Sequence, residues 1–275
     1  MTLAVPGSAV DGRTLEAATM VAGAIGRSAA AFEVDEVVVY EDRAGTGEAE
    51  VTQATAFLAR VLDYLETPPA LRRTLFPSHP HLKLVSMISP LDATMPHHVG
   101  GTSAGFSEGV VAMAGSGSAM VDVGTGSKIE VKCEGDVKVG ARVTVRVGKM
   151  GSEVAGFHAP RSEKGLYWGW ATRVAKGLAG IFTGCPFPDG YDCTIGVMGE
   201  GGAAADLGVG ACKHVLLVLG GADGLEGSLE RDPLLEAEHP RHLFDHLMRA
   251  VPGGAGRANP DEECWAALGA LSQVL

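Results

Sequence analysis

The strongest constraint on this chain is a change of periodicity in mid-sequence. From Gly109 to Gly148 it becomes a succession of short runs separated by glycines. Ile129 and Val131 alternate with Lys128, Glu130 and Lys132, and Val143, Val145 and Val147 alternate with Thr144, Arg146 and Gly148. A period of two sends alternate side chains to opposite faces of a pleated strand. About four or five such strands suit a small antiparallel barrel. The charged positions are expected on its outward face.

On either side of this segment the pattern is that of strands alternating with helices. Leu3-Ala4-Val5 reads as a strand, residues 14–31 as a helix, and the β-branched run Val37-Val38-Val39-Tyr40 as a buried strand. Residues 50–66 place Ala54, Leu58, Val61, Leu62 and Leu65 at helical spacing and stop before Pro68-Pro69, and Leu82 to Ile88 is expected as a third strand. After the barrel, strands are expected at 166–171, 191–196, 214–220 and 243–249, with helices at 174–183 and 261–273. The last helix carries a start signal: Asn259 to cap, Pro260 at the first helical position, and Glu262 three residues after the cap. The predicted fold class is α/β, with a parallel sheet split by an inserted barrel. The expected divisions are 1–90, 91–164 and 165–275.

With 275 residues, 46% of them hydrophobic, the chain can bury a substantial core. Its formal charge of −11 argues at first against a nucleic-acid partner. The charge is unevenly distributed. Between Lys128 and Lys176 ten basic residues face five acids, so this window is +5 and the remainder −16. The five cysteines, Cys133, Cys185, Cys193, Cys212 and Cys264, are odd in number and show no Cys-x-x-Cys spacing, which argues against a disulfide framework or a zinc ribbon and suits a reducing compartment. No apolar run approaches the ~18 residues of a membrane span, so a soluble, intracellular protein without a membrane partner is expected.

Three predicted C-terminal strands end in glycine-rich runs. These are Gly196-Val197-Met198-Gly199-Glu200-Gly201-Gly202, Gly220-Gly221-Ala222-Asp223-Gly224-Leu225-Glu226-Gly227, and Pro252-Gly253-Gly254-Ala255-Gly256-Arg257. Glycines let backbone groups approach a ligand closely, and open α/β sheets bind ligands at their carboxyl edge. None of the three is Gly-x-Gly-x-x-Gly, which sets aside a nicotinamide enzyme.

Six collinear stretches covering nearly the whole chain carry a family resemblance. They are Val34-Asp35-Glu36-Val37-Val38-Val39; Leu58 to Glu66; Pro90-Leu91-Asp92 with Pro96-His97-His98; Gly165-Leu166-Tyr167-Trp168-Gly169-Trp170; Pro186 to Asp192; and Leu219-Gly220-Gly221 through Gly224-Leu225-Glu226. The chain resembles the SPOUT (α/β-knot) RNA methyltransferases in which an OB-like barrel interrupts the methyltransferase domain. The resemblance implies a C-terminal trefoil knot, S-adenosyl-L-methionine as cofactor, RNA as substrate and a homodimer formed through the knot. Carried over by position, it implies a cofactor pocket at Gly196, Leu219, Gly220, Gly221, Gly224, Glu226, Pro252 and Gly256. Arg27, Arg257 and Glu226 become the catalytic candidates, with no base assigned. The basic segment adds Lys128, Lys132, Arg142, Arg146 and Arg173 as candidate RNA contacts.

Two positions depart from the family pattern. The first loop, usually Gly-Thr-Ser-Glu-Arg-Gly, loses its hydroxyls and has Glu200 in place of an arginine, and Pro260 stands where a second arginine is usual. These departures motivate the alternative of a non-catalytic RNA-binding or assembly protein that keeps the knotted fold. Gly101-Thr102-Ser103-Ala104-Gly105 matches a hydrolase motif but lies in a polar linker. His79, His81, His97 and His98 are read as exposed loop histidines beside prolines, with no metal expected. Cys185 and Cys193 are read as buried, inert thiols, and Trp168 and Trp170 as a strand with one face in the core and the other open to a base.

Overall fold

The computed structural model describes residues 1–43, 51–91, 94–126, 128–210, 212–252 and 258–275, and the structural statements below refer to these. In chain order the elements are β1 (Thr2–Pro6), α1 (Leu15–Ala31), β2 (Glu36–Tyr40), α2 (Gln53–Glu66), α3 (Pro69–Leu75), β3 (Phe106–Ala114), β4 (Ser118–Asp122), β5 (Lys128–Lys132), β6 (Arg142–Gly148), β7 (Gly151–Ala155), α4 (Ala159–Lys164), β8 (Ala171–Ala175), α5 (Ala179–Thr183), β9 (Cys193–Gly202), β10 (Val215–Leu219), α6 (Gly224–Glu230), β11 (His246–Met248) and α7 (Pro260–Leu271). They form two compact units. One comprises Met1–Asp63, Lys83–Ser89 and Trp170–Leu275; the other comprises Tyr64–Leu82 and Pro90–Gly169.

The first unit is built on a six-stranded sheet in the order β11-β9-β10-β1-β2-β8, with every pairing parallel. Residues of β1, β2 and β10 are buried throughout, as expected of parallel strands covered on both faces. Val38, Tyr40, Leu216, Val218, Leu225 and Phe244 contribute to one core cluster. The alanine-rich α1 starts where Thr14 Oγ1 accepts from the Ala17 N–H at 3.2 Å, and it packs against α7, with Phe32 and Trp265 edge to face. At the start of α7, Glu262 accepts from the Asn259 N–H at 2.9 Å and Pro260 occupies the first turn, as the sequence suggested.

The second unit contains a closed barrel in the order β3-β4-β5-β7-β6, with β3 also pairing β6. Its pairings are antiparallel except between β5 and β7, which run parallel, so the expected purely antiparallel barrel is corrected to a mixed one. Val111, Ala119, Val121, Val131, Cys133 and Val145 fill it. Gly109 has no alternative here, because a Cβ would lie 2.3 Å from Val121 Cγ1 and 2.9 Å from the Asp122 carbonyl.

Several expected elements shift. Residues 82–88 are not a strand: they form a short 3-10 turn, Val85–Met87, and Ile88 packs on Gly23 of α1. The segment covers a helix, so it finds no neighbouring strand to pair with. The strand expected at 166–171 is displaced to β8, taking the start of the expected helix 174–183 and leaving only α5 as helix. Pro69 both ends α2 and opens α3, an element absent from the sequence reading. No helix among the described residues is long and apolar enough to cross a membrane.

Candidate functional site

β1, β2 and β10 are neighbouring parallel strands, so their carboxyl ends meet at one edge of the sheet. At this edge β10 ends in Leu219, whose carbonyl accepts from Tyr40 Oη at 2.7 Å. The chain then turns tightly, Gly221 bridging to Gly224, before α6 begins. Gly224 has φ +80°, a conformation that favours glycine. Side chains of the segments that follow β1 and β2 crowd the turn. A Cβ on Gly221 would stand 2.0 Å from Asp42 Oδ2, and one on Gly220 would stand 2.9 Å from the Leu225 N. A Cβ on Gly7, just after β1, would stand 1.8 Å from Thr55 Oγ1. The sequence places these glycines for ligand approach, whereas the structure shows Gly220 and Gly221 first admitting other parts of the chain.

Two buried carboxylates lie here. Asp42, 3% exposed, accepts from the Ser8 N–H at 2.9 Å and from Ser8 Oγ at 2.5 Å; Ser8 Oγ in turn accepts from the Ala222 N–H at 3.1 Å. Glu41, 5% exposed, accepts from the Thr52 N–H at 2.8 Å, from Thr55 Oγ1 at 3.0 Å and from the Arg43 N–H at 3.3 Å. Both are thus held by backbone N–H groups and hydroxyls. Sequence reasoning missed this pair, although Glu41-Asp42 directly after a buried strand was a usable signal.

The other predicted pocket residues are placed as follows. Gly196 lies inside β9, where a Cβ would approach Phe244, Leu225 and Leu247 within 3.1 Å, so the packing there leaves no room for a side chain. The expected first loop is part of β9: pairing with β11 runs through Gly196↔Leu247, then resumes at Gly202↔Met248, with residues 197–201 bulged between. A Cβ on Gly201 would strike the Met248 backbone at 2.3 Å. Glu200 is exposed, 4.0 Å from Arg241. Glu226 is exposed in the first turn of α6, its carboxylate folded back toward Gly224. Pro252 is exposed. Gly256 and Arg257 lie outside the described residues, as does Asp92. Arg27 is half-buried near the carboxyl end of α1, which the β1-α1-β2 connection carries to the edge of the sheet opposite the turn.

The basic candidates divide. Lys128 and Lys132 are exposed at alternate positions of β5. Arg146 pairs with Glu153 and Glu163 at the surface, 38% exposed. Arg142 corrects the expectation of an outward-facing cation. It is 19% exposed, with Nη2 donating to Glu66 Oε1 at 2.9 Å, Nη1 to Glu66 Oε2, and Nε to Glu108 Oε2 at 2.6 Å. Arg173 is likewise committed: Nε donates to Glu36 at 2.7 Å, and Nη1 and Nη2 donate to the carbonyls of Gly180 and Ile181.

Arg142 is the centre of a buried network that the sequence did not reveal. Glu108 Oε1 also accepts from Thr144 Oγ1 at 2.5 Å and Trp168 Nε1 at 2.7 Å. His97 Nε2 lies 3.1 Å from Glu66 Oε1, and His98 Nε2 lies 2.6 Å from the Glu66 carbonyl. Both histidines are buried, against the expectation of exposed loop positions. Burial pushes the Glu66 carboxyl up, but the Arg142 charge and the His97 and Arg142 hydrogen bonds outweigh it and bring the pKa down to about 2. Burial, with the neighbouring His97, lowers His98 to about 4. Tyr167, Trp168 and Trp170 are all buried, which corrects the stacking face proposed for them. Cys193 is buried and its thiol is pushed up to about 12 by burial first, so it is inert as expected; Cys185 is only half-buried. No group of three or more metal-ligating side chains occurs among the described residues.

A parallel sheet with a glycine turn at its carboxyl edge places the chain among the α/β proteins, a class whose ligands commonly lie at that edge. The family is narrower. The model of the family described as "Putative RNA methyltransferase" matches residues 1–271. The chain belongs to this family and is an RNA methyltransferase. It is 38% identical to the human 28S rRNA (uridine-N(3))-methyltransferase, over 96% of this chain and 75% of the relative. It is 33% identical to the Drosophila melanogaster protein of the same name, over 100% of this chain and 62% of the relative.

Proposed function

We propose that the protein transfers a methyl group from S-adenosyl-L-methionine to N3 of a uridine in large-subunit ribosomal RNA. The observation that carries this reading is the likeness, across nearly the whole chain, to relatives named for that reaction. The residues at the sheet edge fit the cofactor. Backbone groups of the Leu219–Gly224 turn suit a nucleoside, and the turn is braced from below by the buried Asp42 acting through Ser8. The bound cofactor supplies an electrophilic methyl group on a sulfonium. The turn would hold the nucleoside of the cofactor and the protein would align the uridine so that N3 faces that methyl group and can give up its proton to a base.

The finer assignments rest on the resemblance. The barrel order β3-β4-β5-β7-β6 with β5 and β7 parallel supports an OB-like module. The order β11-β9-β10 brings the chain back across β9 after β10, which is compatible with a SPOUT knot and a homodimer built on it. RNA is assigned to the exposed Lys128 and Lys132; Arg146 is engaged by Glu153 and Glu163, and Arg142 and Arg173 leave that list because they hold the fold. Arg257 remains a proposed contact to the target, whereas Arg27, at the opposite edge of the sheet, leaves that role.

The test incubates the purified full-length protein with large-subunit RNA lacking the modification and with methyl-labelled cofactor, followed by nucleoside analysis. Label in N3-methyluridine is expected. Label in another nucleoside would replace the uridine assignment, and its absence from RNA under cofactor saturation would overturn the proposed reaction.

A further inference from the structure

We infer that Ser8 and Asp42 are positioning residues that set the backbone of the Leu219–Gly224 turn for the cofactor; this rests on the reading that the turn holds S-adenosyl-L-methionine. The chain of donors has only one polarity. Asp42 takes the Ser8 N–H through Oδ1 at 2.9 Å and the Ser8 hydroxyl proton through Oδ2 at 2.5 Å. With its single proton spent on Asp42, Ser8 Oγ can only accept, and it accepts from the Ala222 N–H at 3.1 Å. Asp42 thereby fixes the direction of the bond that holds Ala222. Tyr40 Oη fixes the other end of the turn through the Leu219 carbonyl.

Each member sits where it does because of the fold. Ser8 follows β1 after Gly7, whose missing side chain leaves room for Thr55; Asp42 lies two residues beyond the end of β2; and Gly221 admits the Asp42 carboxylate. Two neighbouring strands therefore reach over to a third and pin the backbone between its end and the next helix. A turn pinned in its bound shape spares the ligand the cost of ordering it, which raises affinity without any direct contact. Neither residue is assigned a contact with the reacting atoms.

The experiment titrates the full-length protein with S-adenosyl-L-methionine by calorimetry and follows amide exchange across residues 219–224 in the absence of cofactor. Ser8→Ala and Asp42→Asn are each expected to weaken binding about tenfold, the scale of one hydrogen bond, and to speed exchange at Ala222. Ser8→Thr keeps the hydroxyl and is expected to restore both. In turnover, the variants should raise KM for the cofactor while kcat at saturation stays near the parent value; a lower kcat with unchanged KM would indicate mere loss of folded protein and would overturn the inference. Parent-like affinity in Ser8→Ala and Asp42→Asn overturns it as well. If the parent protein itself fails to bind, the cofactor reading fails, and the exchange arm still judges the positioning: unchanged protection at Ala222 in Ser8→Ala refutes it.

Discussion

Two pairs of buried carboxylates among the described residues are satisfied by opposite means. In the barrel unit Glu66 and Glu108 share the guanidinium of Arg142, and Glu66 also meets His97. At the edge of the parallel sheet Glu41 and Asp42 are held by backbone N–H groups and hydroxyls. A buried charge must be compensated or it is costly. The first pair is compensated by a formal cation of the same unit, which leaves it nothing to offer a ligand. Among the described residues the second pair is met by uncharged donors, beside a glycine turn. The difference separates an architectural network from one suited to a function.

The sharpest way to break this comparison is to remove the cation. Arg142→Leu leaves two carboxylates buried without their partner and should destabilise the barrel unit by about 3–5 kcal/mol, read from denaturant unfolding. Arg142→Lys keeps the charge but loses the two-pronged geometry and should fall between. Parent-like stability for Arg142→Leu would mean that the network is not structural, and Arg142 would return to the candidate RNA contacts.

Acid should attack the same network next. Glu66 is depressed from 4.5 to about 2, so its contribution is complete above pH 4.5 and is lost as pH falls through about 2, roughly 3 kcal/mol in all. His98 is depressed from 6.5 to about 4. The unfolded chain therefore takes up a proton between pH 6.5 and 4 that the folded chain refuses, and stability falls with pH there too. Unfolding free energy measured from pH 7 to 3 should decline continuously, and His98→Gln should flatten the portion between 6.5 and 4 while leaving the Glu66 portion. An unchanged slope in that variant would exclude His98 as its source.

This network also marks where sequence reading ends. Elements specified by neighbouring residues were legible: the Asn259-Pro260-Glu262 start of α7, the alternation of β5 and β6, and the buried runs of β1, β2 and β10. Period two correctly placed Arg142 on the opposite face from Val143 and Val145. What it could not show is that Glu66, 76 residues earlier, lies against that face and turns a solvent position into a buried ion pair. The 82–88 segment failed similarly, because an apolar run says that something is buried and not whether it meets a strand or a helix. The glycine turn after Leu219 was legible as a turn, but the reason for Gly221 lay in Asp42, which only the parallel register of β1, β2 and β10 brings near.

At the sheet edge the corresponding test is a double-mutant cycle. Gly221→Ala should weaken cofactor binding by about 1–2 kcal/mol through displacement of the Asp42 carboxylate, within the range of strained small-to-large changes. If the collision with Asp42 is the cause, adding Asp42→Ala should cost less than the sum of the two single changes, since the side chain in the way is gone. Strict additivity in calorimetry would mean that Gly221 is needed for direct approach by the ligand, and the two acid pairs would no longer differ in the way described.

The smallest expected effect concerns the outer surface of the barrel, where the comparison can be extended to cations. Arg146 is engaged by Glu153 and Glu163, whereas Lys128 and Lys132 stand at exposed positions of β5. If RNA is held through phosphates there, each lysine that contacts one releases a counterion, and replacing both by alanine should reduce the slope of log affinity against log salt by roughly 1.4, taking ~0.7 per contact for single-stranded RNA. Arg146→Ala makes half the change in net charge but also frees two carboxylates on the same surface. A long-range charge effect would therefore scale with the number of charges removed, while direct phosphate contact predicts a changed slope for the lysine pair and a uniform weakening with little change of slope for Arg146→Ala. Filter-binding measurements across a salt series separate the two, and equal slopes for parent and lysine variant would take the RNA off this strand.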